Sequence, residues 1–350
     1  MSTADIPPKE ERHMQDNTPV RHRTARRRAL PLVIGAGFTA AVLATGMGAI
    51  ANAAEAPQAD AGTGTLAAPA LVGWATQNGG TTGGGSASPV TVTSSSALIS
   101  AMQSSSAAVI NVSGTISLSG MQKVASNKTI RGVGSSATIT GGGLNIANAK
   151  NVIIQNLNFR NASDDSINVQ YSTNVWLDHL DMANGYDGLL DIKRTSNFIT
   201  VSYVHSHDHD KNMLLGHSDD NASEDNGKLK VTYHHNWFDG TNQRNPRVRF
   251  GNPVHVFNNY YSNVGSYGVA STEGAGVLVE CNYFENVEDP YHLGEGDSGP
   301  GTLVARNNQL VNSGSGQTGG SVASIPYSYT CDTPSSVKSI VTAQSGTGKI

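Results

Sequence analysis

Residues 231–238 (VTYHHNWF), 254–261 (VHVFNNYY) and 277–284 (VLVECNYF) repeat one pattern, close to V-x-V-x-x-N-x-F, at intervals of 23 residues. The same register extends over seven copies, whose Asn position is occupied by Leu157, Leu180, Val204, Asn236, Asn259, Asn282 and Asn308. A unit of this length, built from short β-branched segments, cannot bury its apolar face alone and must stack on its neighbours. We therefore predict an all-β, single-domain parallel β-helix whose coils lie ~4.8 Å apart.

The repeat also predicts where each coil turns and what fills its core. Asn tolerates left-handed backbone geometry, so we place it at the bend, where its amide can bond to the Asn of the next coil. The residue two positions later, as in Phe238 and Tyr261, is expected to stack in the core. A third strand per coil is predicted over residues 166–169, 188–192, 212–216 and 247–250. A β-sandwich is the alternative, but it requires hairpin turns and no fixed register of apolar columns.

The N-terminal segment has the composition of an export signal. Residues 21–28 contain five arginines, residues 29–50 are apolar and rich in Gly and Ala, and Ala51-Asn52-Ala53 is a small-x-small cleavage site. This order is typical of a signal peptide, and the abundant glycine disfavours the alternative of a membrane anchor. We predict three segments, a signal peptide, a flexible linker and a β-helix domain, over residues 1–53, 54–70 and 71–350.

The remaining chain is acidic. Removal of residues 1–53, with seven basic and four acidic residues, leaves 16 basic and 23 acidic residues, a formal net charge of −7. This balance disfavours nucleic acid as a partner. It would also repel a polyanionic substrate unless a cation intervenes. We expect a secreted, extracellular monomer with no membrane partner.

Only two cysteines are present, Cys281 and Cys331. In an oxidising compartment they could form one disulfide that ties the C-terminal tail to the last full coils. Two buried free thiols are the alternative.

Four charged residues recur at one register of the repeat. Asp165, Asp187, Lys211 and Arg244 lie seven or eight residues after the first four repeat positions. Equal register in a stacked coil means equal side, so these residues are predicted to line one face. Together with Asp191 the two aspartates form a cluster of oxygen ligands without a nearby Cys, which favours Ca²⁺. The alternative is a solvated acidic loop.

Two arginine positions and an insertion lie farther along the same face. In Arg244-Asn-Pro-Arg-Val-Arg249, the planar guanidinium forks suit substrate carboxylates, whereas Arg247 is interpreted as a structural arginine paired to a neighbouring acid. Lys211 lies between the acids and Arg244 along the stack. The residues between Lys211 and Lys228 lengthen one coil, and such an insertion usually forms a loop at the binding face.

The histidines are interpreted as structural. Asp178 and His179 lie at the strand register, so we predict a buried polar pair that supports the site. His205-Ser-His207-Asp-His209 and His234-His235 suggest zinc, but their spacing matches no standard zinc motif. Stacking of histidines on neighbouring coils is the simpler interpretation.

Several of these motifs together resemble one family. They are residues 126–134 (SNKTIRGVG), 151–157 (NVIIQNL), 175–179 (VWLDH), 187–193 (DGLLDIK), Asp210-Lys211 and 244–249 (RNPRVR). From about residue 74 to residue 350, the chain is similar to the secreted bacterial pectate lyases of polysaccharide lyase family 1. The resemblance implies a right-handed parallel β-helix and calcium-dependent cleavage of polygalacturonate by β-elimination, giving 4,5-unsaturated oligogalacturonates.

The resemblance also implies residue roles. The family's calcium-binding carboxylates correspond to Asp165, Asp187 and Asp191, and its substrate-contacting lysine corresponds to Lys211. Its catalytic base corresponds to Arg244, and its second essential arginine, which binds substrate, corresponds to Arg249. The residues alone favour Lys211 as the base, since a guanidinium loses its proton only above pH ~12. Ser163 stands where some members carry a further calcium-site aspartate, so the additional calcium sites of those members are not expected.

Three other functions are alternatives. A pectin lyase acts on methyl esters and has no need of the acidic trio. A β-helical polygalacturonase would hydrolyse with carboxylates alone and gives no reason for the arginine pair. A non-catalytic carbohydrate-binding solenoid would present an aromatic-lined groove, whereas the aromatic residues here fall mostly in the inward column.

Overall fold

The computed structural model describes residues 69–350, which form a parallel β-helix. Successive coils contribute strands to three walls, and the strand pairs in these walls are parallel. Wall A is a 10-stranded sheet. Walls B and C form a 15-stranded sheet, joined where the strand Thr138–Ala147 pairs with both. The predicted all-β parallel β-helix is therefore confirmed, and the β-sandwich is excluded.

The strands follow the repeat along the chain. Wall A comprises Val90–Val92, Ala108–Val112, Lys128–Gly132, Lys150–Gln155, Thr173–Asp178, Asn197–Ser202, Val231–His234, Val254–Phe257, Gly276–Glu280 and Thr302–Arg306. Wall B comprises Thr115–Lys123, Thr138–Ala147, Ile167–Gln170, Leu190–Lys193, Met213–Leu215, Arg247–Arg249, Val269–Thr272 and Tyr291–Leu293. Wall C comprises Asn158–Arg160, Asp181–Ala183, His205–His207, Trp237–Asp239, Tyr260–Ser262, Tyr283–Glu285 and Gln309–Val311. The four third strands predicted from sequence all belong to wall B, within two residues at either end.

Apolar columns fill the interior because the parallel register places equivalent residues above one another. In wall A, Val175 pairs with Val152 on one side and with Ile199 on the other, and all three side chains are buried. The predicted aromatic column is also present. The rings of Phe238, Tyr261 and Phe284 are buried and stacked, with centroids 4.6 and 4.3 Å apart.

The corner between walls A and C differs in detail from the prediction. The left-handed residue is the one before each repeat position, and these residues are Asn156, His179, Tyr203, His235, Asn258, Cys281 and Asn307. The repeat Asn therefore does not supply the left-handed geometry. Its role, which is the same in successive coils, is hydrogen bonding. The side-chain amides of Asn236, Asn259 and Asn282 each donate to the Asn side chain of the next coil. The amide ladder was predicted correctly and the backbone role was not.

Two helices pack against the solenoid, and the sequence analysis did not predict them. Helix Ser95–Gln103 places Leu98 and Met102 in the core at the N-terminal end. Helix Pro334–Gln344 packs Val337 and Val341 against wall C. Cys281 and Cys331 form a disulfide, with their Cα atoms 5.8 Å apart, so the tail is tied to the stack as the first alternative predicted.

The insertion carries two short elements, the 3-10 turn Asp219–Asn221 and the helix Ala222–Asp225. The predicted signal peptide and nearly all of the predicted linker lie outside the described residues. Within residues 69–350, no helix is long and apolar enough to span a membrane.

The amide ladder generates a prediction about stability. Asn259 is fully buried, and its carboxamide bonds to Asn282, to the carbonyls of Tyr233 and Phe257, and to Asn236. Asn259→Ala should lower the free energy of unfolding by roughly 3 kcal/mol or more, since each buried group left without a partner costs about 1–3 kcal/mol.

Asn308→Ala, at the partly exposed end of the ladder, is the matched control and should cost about 1 kcal/mol. Urea denaturation of both variants measures the difference. Equal losses would show that the ladder has no special weight in the interior of the stack.

Candidate active site

The four charged residues of the shared register lie together in the turns that lead from wall C to wall B. The amide of Ile167 donates to Leu189, that of Leu189 to Asn212, and that of Met213 to Arg244, at 3.0, 3.1 and 2.7 Å, respectively. These bonds place the turns carrying Asp165, Asp187, Lys211 and Arg244 on consecutive coils. The prediction that equal register means equal side is confirmed.

Three aspartates form an acidic cluster in the first two of these turns and on the adjoining strand. Asp165 and Asp191 are buried, with 4% and 7% of their surface exposed, whereas the side chain of Asp187 is about half exposed. Carboxylate oxygens of Asp164, Asp165 and Asp187 lie within 4.8 Å of one another. Asp164, which lies between Ser163 and Asp165, was not among the predicted ligands.

Burial and mutual repulsion make the ionised form of this cluster costly. Burial, and next the Asp191 carboxylate, raise the pKa of Asp165 to about 8, although Lys193 acts in the opposite direction. Burial likewise raises the pKa of Asp191, against the opposing cations of Lys193 and Arg244. Two buried carboxylates side by side favour protonation unless a positive charge neutralises them.

The cluster has room and a free oxygen for such a charge. Oδ1 of Asp165 is buried and has no hydrogen-bond partner among the described residues. Gly188 faces this oxygen, and a Cβ at Gly188 would lie 2.9 Å from Asp165 Oδ1 and 3.4 Å from Asp191 Oδ1. The residues therefore fit a hard divalent cation, which prefers several carboxylate oxygens.

Lys193 is a member of the site that the sequence analysis missed. Its Nζ lies 3.4 Å from Asp191 Oδ2 and 3.9 Å from Asp165 Oδ2. Because side chains alternate along a strand, Asp191 and Lys193 point to the same face, and this alternation was the signal that could have identified it. The lysine compensates part of the negative charge of the cluster.

Lys211 and Arg244 follow on the next two turns. Lys211 Nζ lies 3.6 Å from Asp187 Oδ1. Arg244 has a left-handed backbone (φ 61°), and its buried Nε has no hydrogen-bond partner among residues 69–350. The cationic side chains therefore extend the site from the acids along the stack, in the order that the sequence predicted.

A buried amide pair holds these two turns together. Asn212 donates to Asn245 Oδ1 at 2.9 Å, and Asn245 also accepts from Thr241 and donates to the carbonyl of Tyr267. Lys211 and Gln243 add a parallel β-bridge. Asn212 and Asn245 directly follow Lys211 and Arg244 in sequence, so their bond fixes the spacing of the two cationic residues.

Arg249 is oriented by the insertion. Its Nε donates to Asp219 Oδ1 at 2.6 Å and its Nη1 to the carbonyl of Gly216 at 3.3 Å. Only 9% of Arg249 is exposed. Arg247 bonds to Ser298 and to the main-chain carbonyl of Glu295, so the predicted pairing with an acid belongs to Arg249 rather than to Arg247.

Of the two histidine predictions, the stacking on neighbouring coils is confirmed, whereas the Asp178–His179 pair is buried as predicted but lies away from the site. Asp178 and His179 form the predicted buried pair, 2.7 Å apart, but their other partners are Gln155, Ser202 and the ring of Tyr203 at a different corner. They therefore do not contact the acidic cluster. Stacking on neighbouring coils is confirmed, since the ring of His205 stacks on Trp237.

The sequence is similar to that of known proteins. A family model described as pectate lyase matches residues 38–350. The chain belongs to the pectate lyase family. A probable pectate lyase A of Aspergillus fumigatus is 38% identical over 320 residues, covering 88% of this chain and 98% of that protein. A pectate trisaccharide-lyase of Bacillus licheniformis is 37% identical over 260 residues, covering 69% of this chain and 74% of that protein.

Solved structures of pectate lyases have the same fold. The crystal structure of a Bacillus sp. N165 pectate lyase in complex with trigalacturonate is 32% identical, has a TM-score of 0.74, and covers 80% of this chain and 99% of that chain. A Xanthomonas campestris pectate lyase is 28% identical with a TM-score of 0.69, covering 80% and 99%. The pectate lyase relatives thus come from fungi and bacteria.

The amide pair generates a prediction for this pectate lyase. Asn245→Ala leaves the partners of its carboxamide without bonds and loosens the turn that carries Arg244. We expect kcat/KM on polygalacturonate to fall ~10²-fold, the order expected for a displacement of about 1 Å at a reacting group.

Gln243→Ala is the matched control on the other side of Arg244, because its side chain makes only two long bonds to Asp210, both 3.4 Å. Its kcat/KM should change little. An unaltered kcat/KM in Asn245→Ala would show that the pair does not position the cationic residues.

Proposed function

We propose that the protein cleaves polygalacturonate by β-elimination and that Asp165, Asp187 and Asp191 hold a calcium ion for this reaction. The observation that carries the proposal is the free, buried Oδ1 of Asp165 in the space that Gly188 leaves, on the same face as Lys211 and Arg244. A related pectate lyase structure contains trigalacturonate, an oligomer of the proposed substrate.

The reaction follows from the charge of the substrate. Its C5 proton is α to a carboxylate, and removal of this proton builds further negative charge on an anionic group. When bound, calcium supplies positive charge that stabilises this carboxylate and acidifies C5. Lys211 is placed to add fixed positive charge in the same region. Departure of the oxygen at C4 then completes a 4,5-unsaturated sugar.

Arg244 is proposed to remove the C5 proton. Its place two coils beyond the acids, on the face that it shares with Lys211, supports this role. Lys211 is proposed to contact the substrate near Asp187. Arg249 is proposed to bind a substrate carboxylate, which would have to replace the Asp219 carboxylate that now occupies its Nε.

The other parts of the proposal concern export. A signal peptide at residues 1–53 and a linker at residues 54–70 would deliver the domain, residues 71–350, outside the cell as a monomer. The disulfide between Cys281 and Cys331 supports an oxidising destination.

Calcium dependence is tested first. A chelator should abolish formation of the unsaturated product, followed by its ultraviolet absorbance, and added Ca²⁺ should restore it. Gly188→Ala should weaken calcium binding about 10–100-fold, because overpacking costs about 1–3 kcal/mol.

Gly299→Ala is the control for that variant, since a Cβ there would meet only Glu273 Oε1 at 3.4 Å, an ordinary contact. Calorimetric titration with Ca²⁺ compares the two. Full activity in excess chelator, with highest rates on heavily methylated pectin, would instead identify a pectin lyase. A product without absorbance would favour a polygalacturonase, and no product a binding protein.

The role of Arg244 is tested by Arg244→Lys, which keeps the charge but loses the fork and the reach of the guanidinium. We expect kcat to fall about 10²–10⁴-fold, the usual contribution of a general base, with little change in KM. Arg131→Lys, an exposed arginine bonded to Asn111 on wall A, is the control. A nearly normal kcat in Arg244→Lys, together with its loss in Lys211→Ala, would assign the base to Lys211.

A further inference from the structure

A second group of metal-ligating side chains lies on wall C. Asp181 is paired in register with His205 on the next strand, and His207 follows two residues later on the same face. Between 15% and 22% of each of these three side chains is exposed. Ligand atoms of all three lie within 4.8 Å of one another. They project from neighbouring strands of a regular sheet, which is a rigid support.

The distances match those between ligands of one metal ion. His205 Nδ1 lies 3.0 Å from Asp181 Oδ2, and His207 Nε2 lies 3.1 Å from Asp181 Oδ1. Two ligands of a tetrahedral zinc ion, each bound at about 2.0–2.1 Å, are separated by ~3.3 Å. Only a small outward movement of the side chains would be needed to admit the ion.

Each imidazole also has a second carboxylate on its other nitrogen. His207 Nδ1 lies 2.8 Å from Asp208 Oδ2, and His205 Nε2 lies 3.3 Å from Asp239 Oδ2. A neutral imidazole carries one N–H, so it can donate to only one of two flanking carboxylates. The other nitrogen then needs either a second proton or a metal ion between it and the facing carboxylate, because a lone pair that faces an anion is unfavourable.

Carboxylates behind histidines are the usual outer partners of a zinc site, where they orient the ring and increase the basicity of the ligand nitrogen. Asp208 and Asp239 occupy these outer positions here. Three carboxylates surround the two rings, and Arg160, which pairs with Asp181, is the arginine that offsets part of their charge. With both imidazoles neutral, the group therefore retains an excess of negative charge that one divalent ion would neutralise.

We propose that Asp181, His205 and His207 form a binding site for a divalent transition-metal ion, with Zn²⁺ as the representative ion. Two imidazoles and one carboxylate suit zinc, copper or nickel, whereas the oxygen cluster around Asp165 suits calcium. The site is separate from that cluster and belongs to a different wall of the solenoid.

The linear sequence conceals this site. Asp181 precedes His205 by one coil, so no motif spacing relates them, and only the stacking brings them together. His209, the third histidine of the run, is not part of the group, since its Nε2 lies 3.3 Å from the carbonyl of Asp187. His234 and His235 belong to wall A and its following corner.

The test is equilibrium dialysis of the full chain against Zn²⁺ at neutral pH, with saturating Ca²⁺ to occupy the oxygen cluster, followed by elemental analysis. The wild type should retain one zinc ion per chain that His205→Gln and His207→Gln lose. Asp208→Asn should bind zinc about 10–100-fold more weakly, the usual effect of removing an outer carboxylate.

His292→Gln is the matched control, because His292 is also flanked by two carboxylates, Asp289 and Glu295, but has no second histidine beside it. It should retain the zinc ion. His13 and His22 are common to all variants and cancel in the comparison. Thermal unfolding without zinc checks that each variant is folded, and Asp208→Asn carries the test if a ligand variant is not.

No stoichiometric zinc in the wild type would overturn the proposal and leave a hydrogen-bonded network of acids and histidines. Equal zinc retention in the wild type and in folded His207→Gln and Asp208→Asn would place the ion elsewhere and overturn it as well.

Discussion

Parallel hydrogen bonding between successive coils is the constraint on which the rest of the molecule depends. It fixes the position of each residue around the stack, so a side chain's register decides whether it points into the core or to one outer face. Val152, Val175 and Ile199 are buried together for this reason. The same rule brings Asp165 to Asp187, although they are distant along the chain. A one-residue slip in any coil would exchange inner and outer side chains and dissolve both the core and the site.

The corners show how this register is maintained at a cost. A left-handed backbone costs about 1–2 kcal/mol for residues other than Gly, Asn and Asp, and His179, Tyr203, His235 and Cys281 are such residues. Along the later coils the cost is opposed by the buried amide ladder that begins where Val204 donates its main-chain N–H to Asn236. In the earlier coils Leu157, Leu180 and Val204 fill the repeat position and pack in the core instead. The coils bearing the acids are thus held by apolar packing at this corner, and those from Asn236 onward by hydrogen bonds.

The sequence predicted what depends on period and register, and it failed where local geometry or distant contacts decide. The fold, the wall B strands and the shared face of Asp165, Asp187, Lys211 and Arg244 all follow from a 23-residue repeat. The left-handed residue lies one position before the repeat Asn, and also before Leu157, Leu180 and Val204, so the geometry of the corner sets it and the Asn side chain does not. Lys193 could have been found from strand alternation. The partnership of Arg249 with Asp219 could not, because the path of an insertion is not periodic.

The same acids that suit a cation are a strain on the fold without one. Asp165 and Asp191 are buried beside each other, and burial raises the pKa of both. The ammonium group of Lys193 offsets part of this negative charge. Gly188 has no side chain, which leaves space beside Asp165 and Asp191 for a second cation. A stack selected for stability alone would place apolar or paired residues at these positions. Their placement on one face, followed in order by Lys211 and Arg244, is the arrangement that the proposed binding of an anionic chain through a cation requires.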